Sequence, residues 1–268
     1  MDILNSLPPE TYGALDDLLT FISIYDDKER TKRFLRLLEK ERVGIEQAVC
    51  VDAGCGMGLF SEALVRLGAR KVYAVEANPY LFKLATQRLQ QYPQVTCVQM
   101  PVQEFVPDEP VDWLLHEFFG MLLYDEDIYA LDELRFKPAR VVPDQAILKG
   151  GVTWMANKVD ETVSAEVVRL LDGVLVAGLF DEEDCPLQFP VLSWKWSRSL
   201  REAICDISSW EGDLLYLGLE ILHNNMPVCQ AGLCDNWSYA WTPRMGDVFR
   251  LRYVPGERGA EVFFEWVR

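Results

Sequence analysis

The sequence predicts an α/β protein: helices at the N-terminus, a Rossmann-like parallel sheet, then a mostly antiparallel, β-barrel-like domain. Three observations predict it. The first 47 residues carry apolar positions at helical spacing. Short Val-rich runs then alternate with amphipathic stretches, the pattern of a parallel sheet with helices on its faces. Beyond Val142-Pro143 the runs turn aromatic and β-branched, with turn residues between them, which suits antiparallel strands. The expected domains are residues 1–142 and 143–268.

In order, "TYGALDDLLTFISIYDDKERTKRFLRLLEKERVG" reads as helix and ends near Gly44. "QAVCVDAG", "KVYAVEAN", "VTCVQMP" and "VDWLLHE" read as strands, with helices "LFSEALVRLGA" and "PYLFKLATQRLQQY" between them. "DEDIYALDELRFKPA" is expected to be a further helix that stops before Pro138. The expected strands of the second half are "AILKGGVTWMA", "DLLYLGLEIL", "VCQAGL", "WSYAWT", "DVFRLRYV" and "AEVFFEWV". "VDETVSAEVVRLLDG" is expected to be one helix inserted among them.

Composition narrows the chemistry. The net charge of −16 makes the chain a poor ligand for nucleic acid, whose binding needs Lys and Arg against phosphates. The same field attracts a cationic substrate or partner. No apolar run is long enough to span a membrane, and "MDILNSLPPE" lacks the basic start of a secretory signal. The seven cysteines are scattered without a CxxC pair, so they are expected to be reduced and the protein cytoplasmic. Only two histidines exist, His116 and His223, so no metal site is expected. Catalysis then falls to carboxylates, backbone groups or a cofactor.

"VCVDAGCGMG" is the sharpest motif. A strand ends at Asp52, Gly54, Gly56 and Gly58 follow, and then a helix begins. Glycines let the backbone turn tightly and aim amides at a ligand. The spacing departs from the dinucleotide fingerprint G-x-G-x-x-G and resembles the loop of methyltransferases that bind S-adenosylmethionine. The backbone of Cys55 lies within this loop. Glu76, at the tip of the second strand, can accept both ribose hydroxyls. Val102 is placed against the adenine ring, with Gln103 or Glu104 near its amino group.

"HEFFGMLLYDE" carries two glutamates nine residues apart, Glu117 at a strand end and Glu126 at the start of the next helix. Two carboxylates beside a methyl donor need a cation between them. A guanidinium is flat, always charged and offers a fork of N–H donors.

Here the sequence resembles a known family, the protein arginine methyltransferases. The glutamate spacing matches that family's double-glutamate loop, with His116 in place of its serine and Asp125 in place of its tyrosine. "YDDKERTKRF" is similar to its N-terminal helix motif, which implies that Arg30 meets the cofactor carboxylate. "FKPARVVPD" resembles its passage into the β-barrel. Asp235-Asn236-Trp237 stands nearest to its Thr-His-Trp loop, with Trp237 walling the arginine pocket and Asn236 replacing the histidine. Tyr25 either covers the cofactor or packs within its helix, and His223 is expected in a turn.

The resemblance implies an S-adenosylmethionine-dependent enzyme that methylates the guanidino group of an arginine in a protein or peptide, with a homodimer as one possible assembly. Glu117 and Glu126 are the catalytic carboxylates. Two other readings stay open: methylation of free arginine or a small guanidino metabolite, and an inactive cofactor-binding interaction module.

Overall fold

The structure, a computed structural model, describes residues 9–158, 165–171, 173–177, 183–198, 201–256 and 259–267. It divides into two compact units: residues 1–117 with 133–142, and residues 118–132 with 143–268. The break at Val142-Pro143 is where the composition changes. The segment Phe118–Asp132 groups with the second unit although the chain on both sides of it belongs to the first.

The first unit opens with helices α1 (Pro9–Asp26), α2 (Lys28–Lys40) and α3 (Arg42–Ile45). Asp27 separates the first two, and its carboxylate accepts the Arg30 N–H at 2.8 Å, capping α2. Arg30, Phe34, Leu37 and Leu38 are the buried stripe of α2, spaced to fall on one helical face. The parallel sheet follows in the order β3-β2-β1-β4-β5. Its strands are β1 (Val49–Ala53), β2 (Lys71–Glu76), β3 (Val95–Gln99), β4 (Trp113–His116) and β5 (Arg140–Val142). Every residue of β1 is buried, as expected for a central strand covered on both faces. Helices α4 (Leu59–Arg66) and α5 (Pro79–Leu89) make the crossovers. The Asn78 side chain caps α5 by accepting the Tyr80 and Leu81 N–H groups.

The second unit is mostly antiparallel and barrel-like. Its strands are β6 (Gln145–Thr153), β7 (Val176–Ala177), β8 (Phe189–Lys195), β9 (Glu202–Asp206), β10 (Leu214–His223), β11 (Met226–Gln230), β12 (Ala240–Pro243), β13 (Val248–Pro255) and β14 (Ala260–Val267). They form one sheet in the order β7-β12-β10-β6-β8, with β11 paired to β10, and a second in the order β14-β13-β9. Helix α6 spans Ala165–Arg169. Tyr216, Tyr239 and Trp241 pack with Met155, Val168, Cys185, Leu214 and Ala231 in a buried cluster. Two of these rings keep their hydroxyls satisfied: Tyr216 donates to Pro186 O at 2.7 Å and Tyr239 to Cys185 O at 3.0 Å. Asn224 and Asn225, with φ of 52° and 62°, make the tight turn between β10 and β11. His223 ends β10 beside that turn, 3.2 Å from Asp144.

Several expectations are corrected. The helix expected from residue 125 to just before Pro138 is a 3-10 helix over Asp127–Glu133. It stops early because the chain must straighten to join β4 as strand β5. Strands β7, β8 and β9 were not expected from the sequence; they are short or flanked by charged residues, which blurs their alternation. In the segment expected as an inserted helix, the described part is helical only over Ala165–Arg169, and residues 159–164 and 172 lie outside the described residues. The expectation of uniformly reduced cysteines also fails: Cys229 and Cys234 are joined in a disulfide, while Cys50, Cys55, Cys97, Cys185 and Cys205 remain thiols. Among the described residues no helix is long and apolar enough to cross a membrane.

Candidate functional site

In an open parallel sheet, ligands bind beyond the C-terminal ends of the strands. In the first unit those ends carry the expected residues. The loop after β1 holds Gly54, Gly56 and Gly58 at φ of 67°, 55° and 79°, a region where other residues are strained. Gly58 also caps α4 in that left-handed conformation. The Gly56 N–H donates to Glu76 Oε2 and the Asn78 N–H to Glu76 Oε1, each at 2.8 Å. The carboxylate at the tip of β2 is thereby fixed against the glycine loop.

Helix α1 lies over the same loop. The Tyr25 hydroxyl accepts the Met57 N–H at 3.1 Å, and burial pushes its own pKa up. A Cβ added at Gly56 would sit 2.7 Å from the Phe21 ring and 3.1 Å from the Tyr25 hydroxyl. Tyr25 therefore lies over the glycine loop. Cys55 is buried inside the turn, and burial raises its thiol pKa, so it stays a neutral filler.

Asp52 closes the floor. It is buried and accepts the Ser61 hydroxyl at 2.6 Å. Burial pushes its pKa up to about 7, against the pull of the Ser61 bond; the charges of Glu117 and then Glu76 raise it further. Arg30, also buried, donates through Nε to Glu117 Oε1 at 3.1 Å, with the two side chains 5% and 19% exposed. His116 is buried at the end of β4, immediately before Glu117. After β3, a 3-10 turn over Val102–Glu104 buries Val102 and leaves Gln103 partly and Glu104 fully open.

The result is a rim of carboxylates around a glycine turn, with Arg30 paired into it. Such a rim suits a ligand with vicinal hydroxyls and positive charge. Among the described residues no cluster of His, Cys, Asp and Glu could hold a metal ion. A separate open groove of about 380 Å³ runs along α2, lined by Tyr25, Lys28, Thr31, Lys32, Leu35, Arg36 and Glu39. Its cationic side makes it a poor place for a cationic acceptor.

In the second unit, Glu126 is exposed at the start of the 3-10 helix. Asp125 Oδ1 accepts the Leu122 N–H at 2.8 Å and lies against Gly120, where a larger residue would collide with it. Trp237 is buried and its indole N–H donates to Phe119 O at 3.0 Å, so it anchors the start of the Glu126 segment. Asn236 precedes it, partly buried. Sequence reasoning passed over Phe21 and Ser61. Phe21 sits one helical turn before Tyr25, and Ser61 lies in the first turn after the glycines, so spacing from recognised residues could have found both.

A family model for a methyltransferase domain matches residues 51–135. Protein arginine N-methyltransferase 2 of Dictyostelium discoideum is 30% identical over 127 residues, 45% of this chain and 25% of that protein. Protein arginine N-methyltransferase 1 of Chlamydomonas reinhardtii is 28% identical over 131 residues, 46% of this chain and 38% of that protein. The matched segment thus spans well under half the length of either relative. In fold, the chain is similar to the Trypanosoma brucei PRMT1 enzyme-prozyme complex with AdoHcy, at a TM-score of 0.69 and 18% identity, covering 92% of this chain and 93% of that one. A crystal structure of Arabidopsis thaliana protein arginine methyltransferase 10 superposes at a TM-score of 0.63 and 14% identity, covering 92% and 97%.

Proposed function

Taking this chain as a member of the protein arginine methyltransferase family, which its methyltransferase domain, its curated relatives and its fold support, we propose that it methylates a guanidino nitrogen of arginine in a protein or peptide. S-adenosylmethionine, the proposed cofactor, supplies an activated methyl group on a sulfonium. The chain's own residues fit such a group. The Glu76 carboxylate, oriented by two backbone amides at the tip of β2, is proposed to accept the ribose hydroxyls. Arg30 would hold the cofactor carboxylate, and Asp52 and Glu117 would add the negative field that a sulfonium and an ammonium need. Val102 would face the adenine, with Gln103 or Glu104 at its amino group. Tyr25 and Phe21 exclude water over the loop.

Glu117 and Glu126 are proposed to hold the guanidinium by charge-assisted hydrogen bonds and draw its positive charge away from one nitrogen. One carboxylate then receives the proton which that nitrogen gives up. His116, Asn236 and Trp237 are proposed to line the acceptor's side. The observation that carries this reading is the Arg30–Glu117 pair beside the glycine loop. It supports Glu117 as a group held in place while still able to accept a second donor.

The test is mass spectrometry of labelled methyl transfer onto arginine-rich protein, short arginine peptides and free arginine. Label on an arginine side chain in the protein or peptide arms supports the reading. Label confined to free arginine moves the acceptor to a small metabolite. No label in any arm, with cofactor still bound, refutes it.

A further inference from the structure

Glu126 is exposed, yet its neighbours on both sides are fixed by the last two strands of the chain. The Tyr253 hydroxyl, on β13, donates to Leu122 O at 2.5 Å. The Ala260 N–H, at the start of β14, donates to Tyr124 O at 3.0 Å. The Gly259 N–H donates to Asp127 Oδ1, also at 3.0 Å. Tyr124 stacks on Tyr129 at 4.8 Å and meets Tyr253 edge-on at 5.0 Å, so three rings lock the backbone between these bonds. Tyr253 is buried, and burial raises its pKa, so it remains a neutral donor.

Gly259 makes the closest approach. Its φ is +67°, and a Cβ there would lie 2.5 Å from Asp125 O and 3.0 Å from Glu126 Cα. Only a residue without a side chain lets β14 begin directly against the backbone of Glu126. The nearby Gly256 differs: among the described residues a Cβ there meets Gly259 O alone, at an ordinary 3.6 Å.

We infer that Gly259 and Tyr253 are positioning residues for Glu126: β13 at Tyr253 and the chain entering β14 at Gly259 are the seat that sets where this carboxylate stands. The inference rests on the proposed role of Glu126 and adds to it a control point over one hundred residues away in sequence. Misplacing a catalytic group by about 1 Å can cost on the order of a hundredfold in rate.

The experiment compares Gly259→Ala, Tyr253→Phe and the control Gly256→Ala. For each, kcat and KM for methyl transfer, calorimetric Kd for S-adenosylmethionine and amide exchange over residues 120–127 are measured. Gly259→Ala is expected to lower kcat by about ten- to a hundredfold. Its cofactor Kd should stay within about twofold, because the cofactor residues belong to the other unit, which folds around its own core. Tyr253→Phe is expected to speed exchange over 120–127 severalfold, and Gly256→Ala to match the parent throughout. Unchanged kcat and unchanged exchange in both Gly259→Ala and Tyr253→Phe would overturn the inference. If Gly259→Ala does not fold, Tyr253→Phe alone decides by the same two readouts. If the parent transfers no methyl group at all, the proposed function falls, and the exchange data still decide whether Gly259 and Tyr253 seat this segment.

Discussion

Glu117→Gln is the most informative single change. The glutamine keeps the shape and one acceptor oxygen for Arg30 Nε, and removes only the charge. Both side chains are largely buried, so solvent screens the pair little. A hydrogen bond to a charged group contributes about 1.5–3 kcal/mol and a neutral one about 0.5–1.5 kcal/mol, so the variant should lose about 1–2 kcal/mol. For a chain of this size each kcal/mol moves the melting temperature by about 2–4 °C, which predicts a drop of about 2–8 °C. Arg30 stays buried and turns more of its charge toward a cofactor carboxylate, while the sulfonium and ammonium lose the field of Glu117; the two effects oppose each other, so cofactor affinity should change by less than about tenfold. Turnover should fall far more than stability: losing one preorganised electrostatic group costs on the order of 10²–10³ in kcat. The assay is labelled transfer onto an arginine peptide at saturating cofactor, with thermal unfolding and calorimetry on the same preparations. A folded, cofactor-binding variant that transfers at the parent's rate refutes the carboxylate clamp.

Other outcomes follow from the same geometry. Asp52 has its folded pKa raised to about 7 against about 3.9 in an unfolded chain. Its contribution to stability is therefore fully present below about pH 4 and lost as pH rises through about 7. Asp52→Asn should flatten that decline in unfolding curves taken from pH 4 to 8, and an unchanged slope would assign it to another group. Gly56→Ala places a methyl 2.7 Å from Phe21 at a φ of +55°, so S-adenosylmethionine binding measured by calorimetry should weaken at least tenfold. Trp237→Phe removes the donor to Phe119 O and should cost about 1–3 kcal/mol in urea unfolding. Under non-reducing denaturing conditions, alkylation should label only Cys50, Cys55, Cys97, Cys185 and Cys205. Reducing the Cys229–Cys234 bridge, which closes a very short loop, should lower stability by about 2 kcal/mol.

Much of the first unit was legible in the chain because its signals are local. The strand that carries Asp52, the glycines at 54, 56 and 58, and Glu76 at the next strand tip all depend on short-range rules of turn and period; the structure shows the positive-φ glycines and Glu76 at the end of β2, with β1 running one residue past Asp52 to Ala53. The strand that delivers His116 and Glu117 is likewise local in its signal, and β4 ends at His116. The second unit was harder. Strands β8 and β9 mix Pro190, Lys195, Glu202 and Asp206 with apolar residues, and only their partners β6 and β13 make them strands. The Cys229–Cys234 bridge escaped because no reading of spacing tells whether a turn brings two sulfurs together.

The sequence by itself determined which residues could serve: a glycine turn, an acid at a strand tip, and two glutamates nine apart, each written in fewer than a dozen neighbouring positions. Only the tertiary structure decided how they are held. It paired Arg30 with Glu117 across 87 positions, tied Ser61 to Asp52, and brought Gly259 against Glu126. Those contacts arise from burial and close packing between distant segments, where a charge needs a partner and a backbone needs room, and no local pattern encodes either.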